Sequence, residues 1–194
     1  YPGFIDMYVP VDVQQHSHSA TAHWNKKVHP EVTANLDSAS FNKISQMRDL
    51  GFTIASVSPS KGIFRGRNQI LSLGELNSGA IIVGRSLQHL AFEHGGWGDN
   101  EYPNSLLGAI ALLRQTFSDA AWYEQAWEIY NKYPKMNMRP QVDDALENLA
   151  QFNGVYIFRA DSEPATERII KLQNEFDLNI GLVASGFEYR NLHL

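Results

Sequence analysis

The chain has 194 residues, 43% of them hydrophobic, and a formal net charge of −5, which fits one ordinary globular domain. Its 16 basic residues are scattered, and because phosphate binding needs clustered Lys and Arg, nucleic acid is disfavoured as a partner. The sequence contains no apolar run of about 18 residues that would span a membrane, and no signal-peptide pattern. It also lacks cysteine, which removes disulfides and thiolate metal ligands and leaves the compartment open between cytoplasm and periplasm.

The first predicted element is a short buried strand over residues 4–9, which follows a Pro-Gly turn and stops at Pro10. The polar, His-rich connection over 11–37 exceeds the usual loop length, so we expect it to be functional or disordered. A strand over 52–57 closes a right-handed β-α-β unit with parallel strands. Between them lies a helix capped by Asp37 or Ser38 and ended by Gly51, with an apolar face of Phe41, Ile44, Met47 and Leu50.

The remaining chain continues this alternation of strands and helices. Residues 69–73 and 80–83 are expected to pair as a hairpin around Asn77-Ser78-Gly79, and 87–92 form a third extended run. A long helix is predicted over 103–130, with an apolar face that includes Leu106, Leu107, Leu113, Phe117 and Ala121. Helices at 143–152 and 163–176 and strands at 155–158 and 179–183 follow. The alternation indicates an α/β fold with a parallel sheet.

Four segments in this order carry a family resemblance: PGFIDMY at the start, QMRDLGFTIASVSPSKGIFRGRNQILSL, NSLLGAIALLRQTFSDAAWY, and VYIFRADSEPATERIIKLQNEFDLNIGLVASGFEYR. Together they resemble the amidohydrolase superfamily in its imidazolonepropionase-like branch. The resemblance implies a partial TIM-type (β/α) barrel of the metal-dependent hydrolase kind, with a small β-hairpin insertion. It covers about the first half to two-thirds of such a barrel. Because no methionine precedes Tyr1, we expect residues 1–194 to be a single incomplete domain from a longer protein.

Members of this family hold one or two divalent metals, usually zinc, in the barrel mouth, and the metal activates water for hydrolysis of C–N bonds in cyclic amides or dipeptides. In the family motif, the aspartate at the position of Asp6 is followed after one residue by His-x-His. Two further histidines end later strands. The four corresponding positions here are Tyr8, Pro10, Arg159 and Ser185. Since Pro and Arg cannot ligate a cation and Tyr or Ser is a poor replacement, we expect no metal cofactor in this chain.

Other candidates have two interpretations each. His16, His18, His23 and His29 could hold a metal, because His-x-His on an extended segment projects both rings to one face, or they could belong to a solvated polar loop. A Gly-rich segment, Glu93-His94-Gly95-Gly96, is either an active-site loop or a turn. The remaining pocket candidates are Asp6, Arg65, Arg67, His94, Asp161 and Glu188, of which the arginines could bind a carboxylate or be surface charges. Arg159 could pair with a carboxylate in the vacated metal pocket.

Two function classes remain open on the sequence. The chain is either part of an amidohydrolase-like enzyme with an altered or metal-free site, or a non-catalytic half that packs as a scaffold or substrate clamp against an active amidohydrolase domain. In either case an incomplete barrel leaves two unpaired sheet edges. We therefore expect the rest of a parent chain or another subunit as partner, and a homo-oligomer when the chain is isolated.

Overall fold

The computed structural model describes residues 3–12, 23–33, 38–74, 81–93, 102–186 and 188–191, with the backbone alone at 38–43, 81, 83–86, 188 and 191. This part of the chain forms strands, four α-helices and a short 3-10 helix. The strands are β1 (Phe4–Val11), β2 (Phe52–Pro59), β3 (Phe64–Ser72), β4 (Ile81–Ala91), β5 (Val155–Arg159) and β6 (Ile180–Val183). The helices are α1 (Ser38–Asp49), α2 (Leu106–Lys132), α3 (Asp144–Ala150) and α4 (Glu163–Phe176), with the 3-10 helix at Glu188–Asn191.

The six strands form one curled sheet in chain order, and the fold is a mixed α/β half barrel. Parallel pairing joins β1 to β2, β4 to β5 and β5 to β6, whereas β3 is antiparallel to both its neighbours. Five strands therefore point the same way and β3 alone is reversed. The β-α-β unit at the start of the chain is confirmed, since Val9 of β1 aligns with Val57 of β2 in parallel register.

The sheet is mixed, whereas the sequence indicates a parallel sheet with a small hairpin insertion. The hairpin itself forms, with Ile70 opposite Val83, but β3 is an internal strand of the sheet. The two extended runs at 80–83 and 87–92 are also one strand, β4, which continues through Gly84 to Ala91. The pairing of β3 with β4 shifts register, once between Arg67 and Gln69 next to Gly84. Because of such shifts, β4 continues across the residues that separate the two runs in the sequence.

The helices pack on one face of the sheet. Ile44 of α1 joins Val9 and Val57 in one buried cluster, and residues of α2, α3 and α4 join Phe64 and Phe158 in a second. The apolar helix faces are narrower than the sequence suggests. Leu50 at the end of α1 is 72% exposed, and Leu106, Leu107 and Ala121 of α2 also face solvent. No helix in the described ranges is both long and apolar enough to cross a membrane.

The opposite face of the sheet, called here the polar face, carries polar side chains from five strands. They include Tyr8, Ser56, Ser58, Asn68, His89 and Arg159. The rings of Tyr8 on β1 and His89 on β4 are stacked, with centroids 5.7 Å apart. These strands are three positions apart, which in a flat sheet would separate them by about 14 Å. The sheet must therefore curl around its polar face.

Part of the long connection after β1 is fixed against the start of β3. The His29 N–H donates to the Phe64 carbonyl (3.0 Å), and the Arg67 N–H donates to the Val32 carbonyl (2.7 Å). Gly66 has a φ of +104°, and a Cβ at this position would overlap the Val32 carbonyl oxygen. Residues 23–33 thus form an ordered strap over β3, and Gly66 is required both by its backbone angle and by the close approach of that strap.

Candidate functional site

The strand directions bring chemistry-bearing residues to one edge of the sheet. The C-terminal ends of β1, β4, β5 and β6 lie at the same edge as the N-terminal end of the reversed strand β3. We call this edge the mouth. Six residues meet there and form the mouth cluster: Tyr8, Arg65, His89, Glu93, Arg159 and Asp161.

Tyr8 is placed by an irregularity in β1. Asp6 pairs with Ala55 and Val9 pairs with Val57, so β1 has two residues between its paired positions where β2 has one. The extra residue makes β1 bulge at this point. In the bulge the Tyr8 N–H donates to Oδ1 of Asp6 at 3.0 Å. Asp6 therefore shapes the local backbone, and the bulge directs Tyr8 towards His89.

Arg65 is a buried cation at the centre of the cluster. Its side chain is only 3% exposed, and its guanidinium donates to two backbone carbonyls, those of Gly62 (3.2 Å) and Glu93 (3.0 Å). Burial lowers the pKa of Arg65, and the charge of Glu93 and a hydrogen bond with Tyr8 oppose that lowering. Arginine nevertheless stays protonated in proteins, so the mouth contains a fixed positive charge.

A second cation, Arg159, lies nearer to solvent and is held by two carboxylates. Its Nε is 2.8 Å from Oδ1 of Asp161, and its Nη1 is 3.5 Å from Oε1 of Glu93. The same Glu93 oxygen is 3.9 Å from Nη2 of Arg65. Although partial burial works against its charge, the hydrogen bond and charge of Asp161 and the charge of Glu93 raise the pKa of Arg159. Glu93 thus bridges the two arginines.

Among the titratable groups of the described residues, His89 has a pKa that its surroundings shift strongly. Burial lowers its pKa to about 4, and the positive charge of Arg65 acts in the same direction. The imidazole is therefore neutral at pH 7. Its Nε2 is buried and has no hydrogen-bond partner among the described residues.

The four positions that the sequence resemblance aligns with metal ligands lie on or directly after strands. Tyr8 and Pro10 are on β1, Arg159 ends β5, and Ser185 follows β6, whose Val183 pairs with Arg159. The donor chemistry at these positions does not fit a divalent cation. Pro10 has no side-chain donor atom, and Arg159 is a cation already engaged by Asp161 and Glu93.

The two arginines of the Arg65-Gly66-Arg67 segment point to different sides of the sheet. Arg65 is in the mouth, whereas Nη2 of Arg67 donates to the carbonyl of Asn148 on α3 (3.3 Å) and its guanidinium lies over the ring of Phe152. Residues two positions apart normally face the same side of a strand. The register shift between Phe64 and Gly66 explains why Arg65 and Arg67 face opposite sides. Arg67 is thus outside the mouth cluster. His94 lies outside the described residues, and Glu188 is described only by its backbone, at the start of the 3-10 helix.

The His-rich connection is described only in part. His16 and His18 lie outside the described residues. Nδ1 of His23 accepts from the Asn25 N–H at 3.1 Å, and Nε2 of His29 contacts the Lys26 carbonyl. Burial lowers the pKa of both rings. Among the described side chains, no three His, Asp or Glu residues are grouped so that they could hold a metal.

An open groove of about 520 Å³ lies between α2 and α3, away from the mouth. Its walls include Tyr123, Trp127 and Arg139, and the Arg139 guanidinium lies over the Trp127 ring. The Trp127 ring therefore packs against this chain's own arginine.

Arg65 and Asp161 are pocket candidates of the sequence, and Glu93 belongs to its Gly-rich segment after β4. Arg159 is predicted as a substituted ligand position that could pair with a carboxylate. His89 is not among the candidates. The signal was present in the strand alternation of Leu87-Gln88-His89-Leu90, where Leu90 faces the helices and its neighbour His89 must face the other way.

No family model and no curated protein sequence matches this chain. Its structure is similar to that of an amidohydrolase from Thermotoga maritima MSB8, with a TM-score of 0.69 and 16% sequence identity. The similarity covers 98% of this chain and 53% of that protein, so the chain spans about half the length of its structural relative. At this level of identity the likeness is one of fold. It agrees with the fold that the predicted resemblance implies, and the amidohydrolase superfamily and its imidazolonepropionase-like branch stay predictions.

Proposed function

We propose that the chain is an amidohydrolase-like domain of a hydrolase that acts on C–N bonds of cyclic amides or peptides. On this proposal the half barrel is part of a TIM-type (β/α) barrel of the imidazolonepropionase-like branch. The observation that carries the proposal is the position of the mouth cluster. Its side chains gather at the C-terminal edge of the parallel strands, where barrel enzymes place their active sites, on a fold similar to that of an amidohydrolase.

We further propose that this segment's own metal site is lost. Support comes from the residue types at the four ligand positions and from the ion pairs of Arg159, which direct a permanent cation to the place where a metal would need neutral or anionic donors. In such a mouth the guanidinium groups and the Tyr8 hydroxyl are the donors that would polarise a substrate carbonyl.

A non-catalytic half barrel that acts as a scaffold or substrate clamp is the second candidate. It is favoured by the half-length coverage of the structural relative and by the internal pairing of the mouth charges. Its partner would be an active amidohydrolase domain, in the same chain or in another subunit. The end strands of the sheet suit such a contact, since β1 exposes the large side chains of Phe4, Ile5 and Met7.

The two candidates are separated by an amidase assay on the 194-residue chain with a panel of dipeptides and five-membered cyclic amides, with and without EDTA. A metal-free enzyme should show turnover that resists EDTA and is lost in Arg159→Gln. Arg114→Gln, which removes a surface pair with Glu175, is the matched control and should keep that turnover. Turnover that EDTA abolishes and zinc restores would contradict the loss of the metal site. Absence of turnover with every substrate would support the scaffold.

A further inference from the structure

We infer that the two arginines of the mouth bind a carboxylate group, and that the Glu93 side chain occupies this carboxylate site in the unliganded chain. The inference rests on the proposed function in one respect, namely that the carboxylate would belong to the amide substrate. It specifies the substrate class as an acidic amide.

The distances around Glu93 are those of a loosely held group. Its Oε1 is 3.5 Å from Arg159 and 3.9 Å from Arg65, whereas charge-assisted hydrogen bonds usually measure about 2.7–2.9 Å. The pair between Arg159 and Asp161, at 2.8 Å, falls within that range. The Glu93 side chain is also 55% exposed. It can therefore turn into solvent and leave the two guanidinium groups to a ligand carboxylate that is free to approach both more closely.

The arginines themselves are not loosely held. Arg65 is almost fully buried, and two backbone carbonyls fix the direction of its guanidinium. The charge of a buried arginine is costly unless an anion compensates it, and the carboxylate oxygen nearest to Arg65 in the described cluster is the distant one of Glu93. An incoming carboxylate would supply that compensation.

His89 and Tyr8 complete the wall of this site. The His89 side chain is 2% exposed, and its Nε2 lacks a partner in the part of the chain that the structure describes. A buried polar nitrogen without a partner is unfavourable, so a ligand able to hydrogen-bond there gains affinity. Because an amide adjacent to a carboxylate offers such polar atoms, an N-acyl amino acid matches the cluster better than a simple monocarboxylate.

The test is calorimetric titration of the 194-residue chain with N-acetylglycine, which contains an amide and a carboxylate, and with the uncharged N-acetylglycinamide. We expect saturable binding of N-acetylglycine and no binding of N-acetylglycinamide. Arg159→Gln should weaken binding about tenfold or more, as expected for loss of a charged hydrogen bond. Glu93→Gln should tighten it, because the competing carboxylate is removed. Arg114→Gln is the control and should leave binding unchanged.

The opposite effects of these two variants separate a binding site from a merely structural ion pair, since a structural pair predicts a loss for both. No saturable binding to the wild-type chain, or weaker binding to Glu93→Gln, would overturn the inference. Equal binding of sulfate at the same ionic strength would overturn the assignment to carboxylates. If the acid binds but no amide is hydrolysed, the hydrolase proposal fails and the inference stands. If only uncharged amides are bound and hydrolysed, the hydrolase proposal stands and the carboxylate inference fails.

Discussion

Replacement of His89 by Gln should make the stability of this protein less dependent on pH. Burial, with a contribution from Arg65, lowers the pKa of His89 from 6.5 to about 4. The unfolded chain therefore binds more protons than the folded chain between these values. The contribution of neutral His89 to the free energy of unfolding is therefore complete above pH 6.5, and it is lost as the pH falls towards 4.

The size of the effect follows from the two pKa values. A lowering from 6.5 to about 4, at about 1.4 kcal/mol per pKa unit, corresponds to about 3 kcal/mol over the whole window. Between pH 7.5 and pH 5.0, where most carboxylates stay ionised, the wild-type free energy of unfolding should fall by about 2 kcal/mol on account of His89 alone. His89→Gln removes the titrating group, so the variant should lack that part of the fall.

The measurement is urea unfolding of both proteins at several pH values between 5.0 and 7.5. His23 and His29 also have pKa values lowered by burial, so some pH dependence should remain in the variant. His29→Gln is the matched control, and it should flatten the curve less, because its ring is less buried than that of His89. An NMR titration that finds the His89 pKa above 6, or equal slopes for wild type and His89→Gln, would refute the reasoning.

Four further outcomes are expected. Gly66→Ala should lower the free energy of unfolding by about 3 kcal/mol or more, because it adds a clash with the strap to backbone strain. At Gly186 an added Cβ would meet no atom of the described residues within 4 Å, so Gly186→Ala should cost only about 1–2 kcal/mol of backbone strain in urea unfolding. Asp143→Ala, which removes the cap of α3, should cost about 1 kcal/mol, and Asp143→Asn much less. The double variant Tyr8→His, Pro10→His should not bind zinc tightly in calorimetry, since the other two ligand positions remain unsuitable, and stoichiometric tight binding would overturn the loss of the site. Light scattering should show an oligomer, and a monodisperse monomer would contradict association through the open edges of the sheet.

The local elements of the fold were predictable because their signals are local. An apolar face at helical spacing indicated α2, the alternation of strands and helices indicated α3 and α4, and a short apolar run next to Pro10 indicated β1. The position of β3 between β2 and β4 was not predictable in this way. The turn residues of the hairpin correctly paired β3 with β4. Its second partner is β2, and the hydrophobic periodicity of a strand does not indicate which strands lie beside it in the sheet.

The grouping of the mouth cluster was predictable only in part. Residues that follow parallel strands gather at one edge of the sheet, and Arg159 and Asp161 lie at that edge, 2.8 Å apart. Arg65 and Arg67 could not be told apart, because the register shift at Gly66 decides which of them faces the mouth. The contact between Tyr8 and His89 depends on the curl of the whole sheet, and a sequence of alternating residues does not specify that curl.

The charges of the mouth show what an amidohydrolase-like barrel would keep and what it would lose without a metal. Arg65 and Arg159 together supply two positive charges, and Glu93 and Asp161 balance them as acidic ligands would balance a divalent cation. Guanidinium groups can bind a carboxylate or stabilise an oxyanion, but they do not convert a bound water into hydroxide as a metal does. A hydrolase built on this mouth would therefore need another group to activate water, whereas a substrate clamp would need nothing more than the arginines. Carboxylate binding without turnover would consequently favour the clamp.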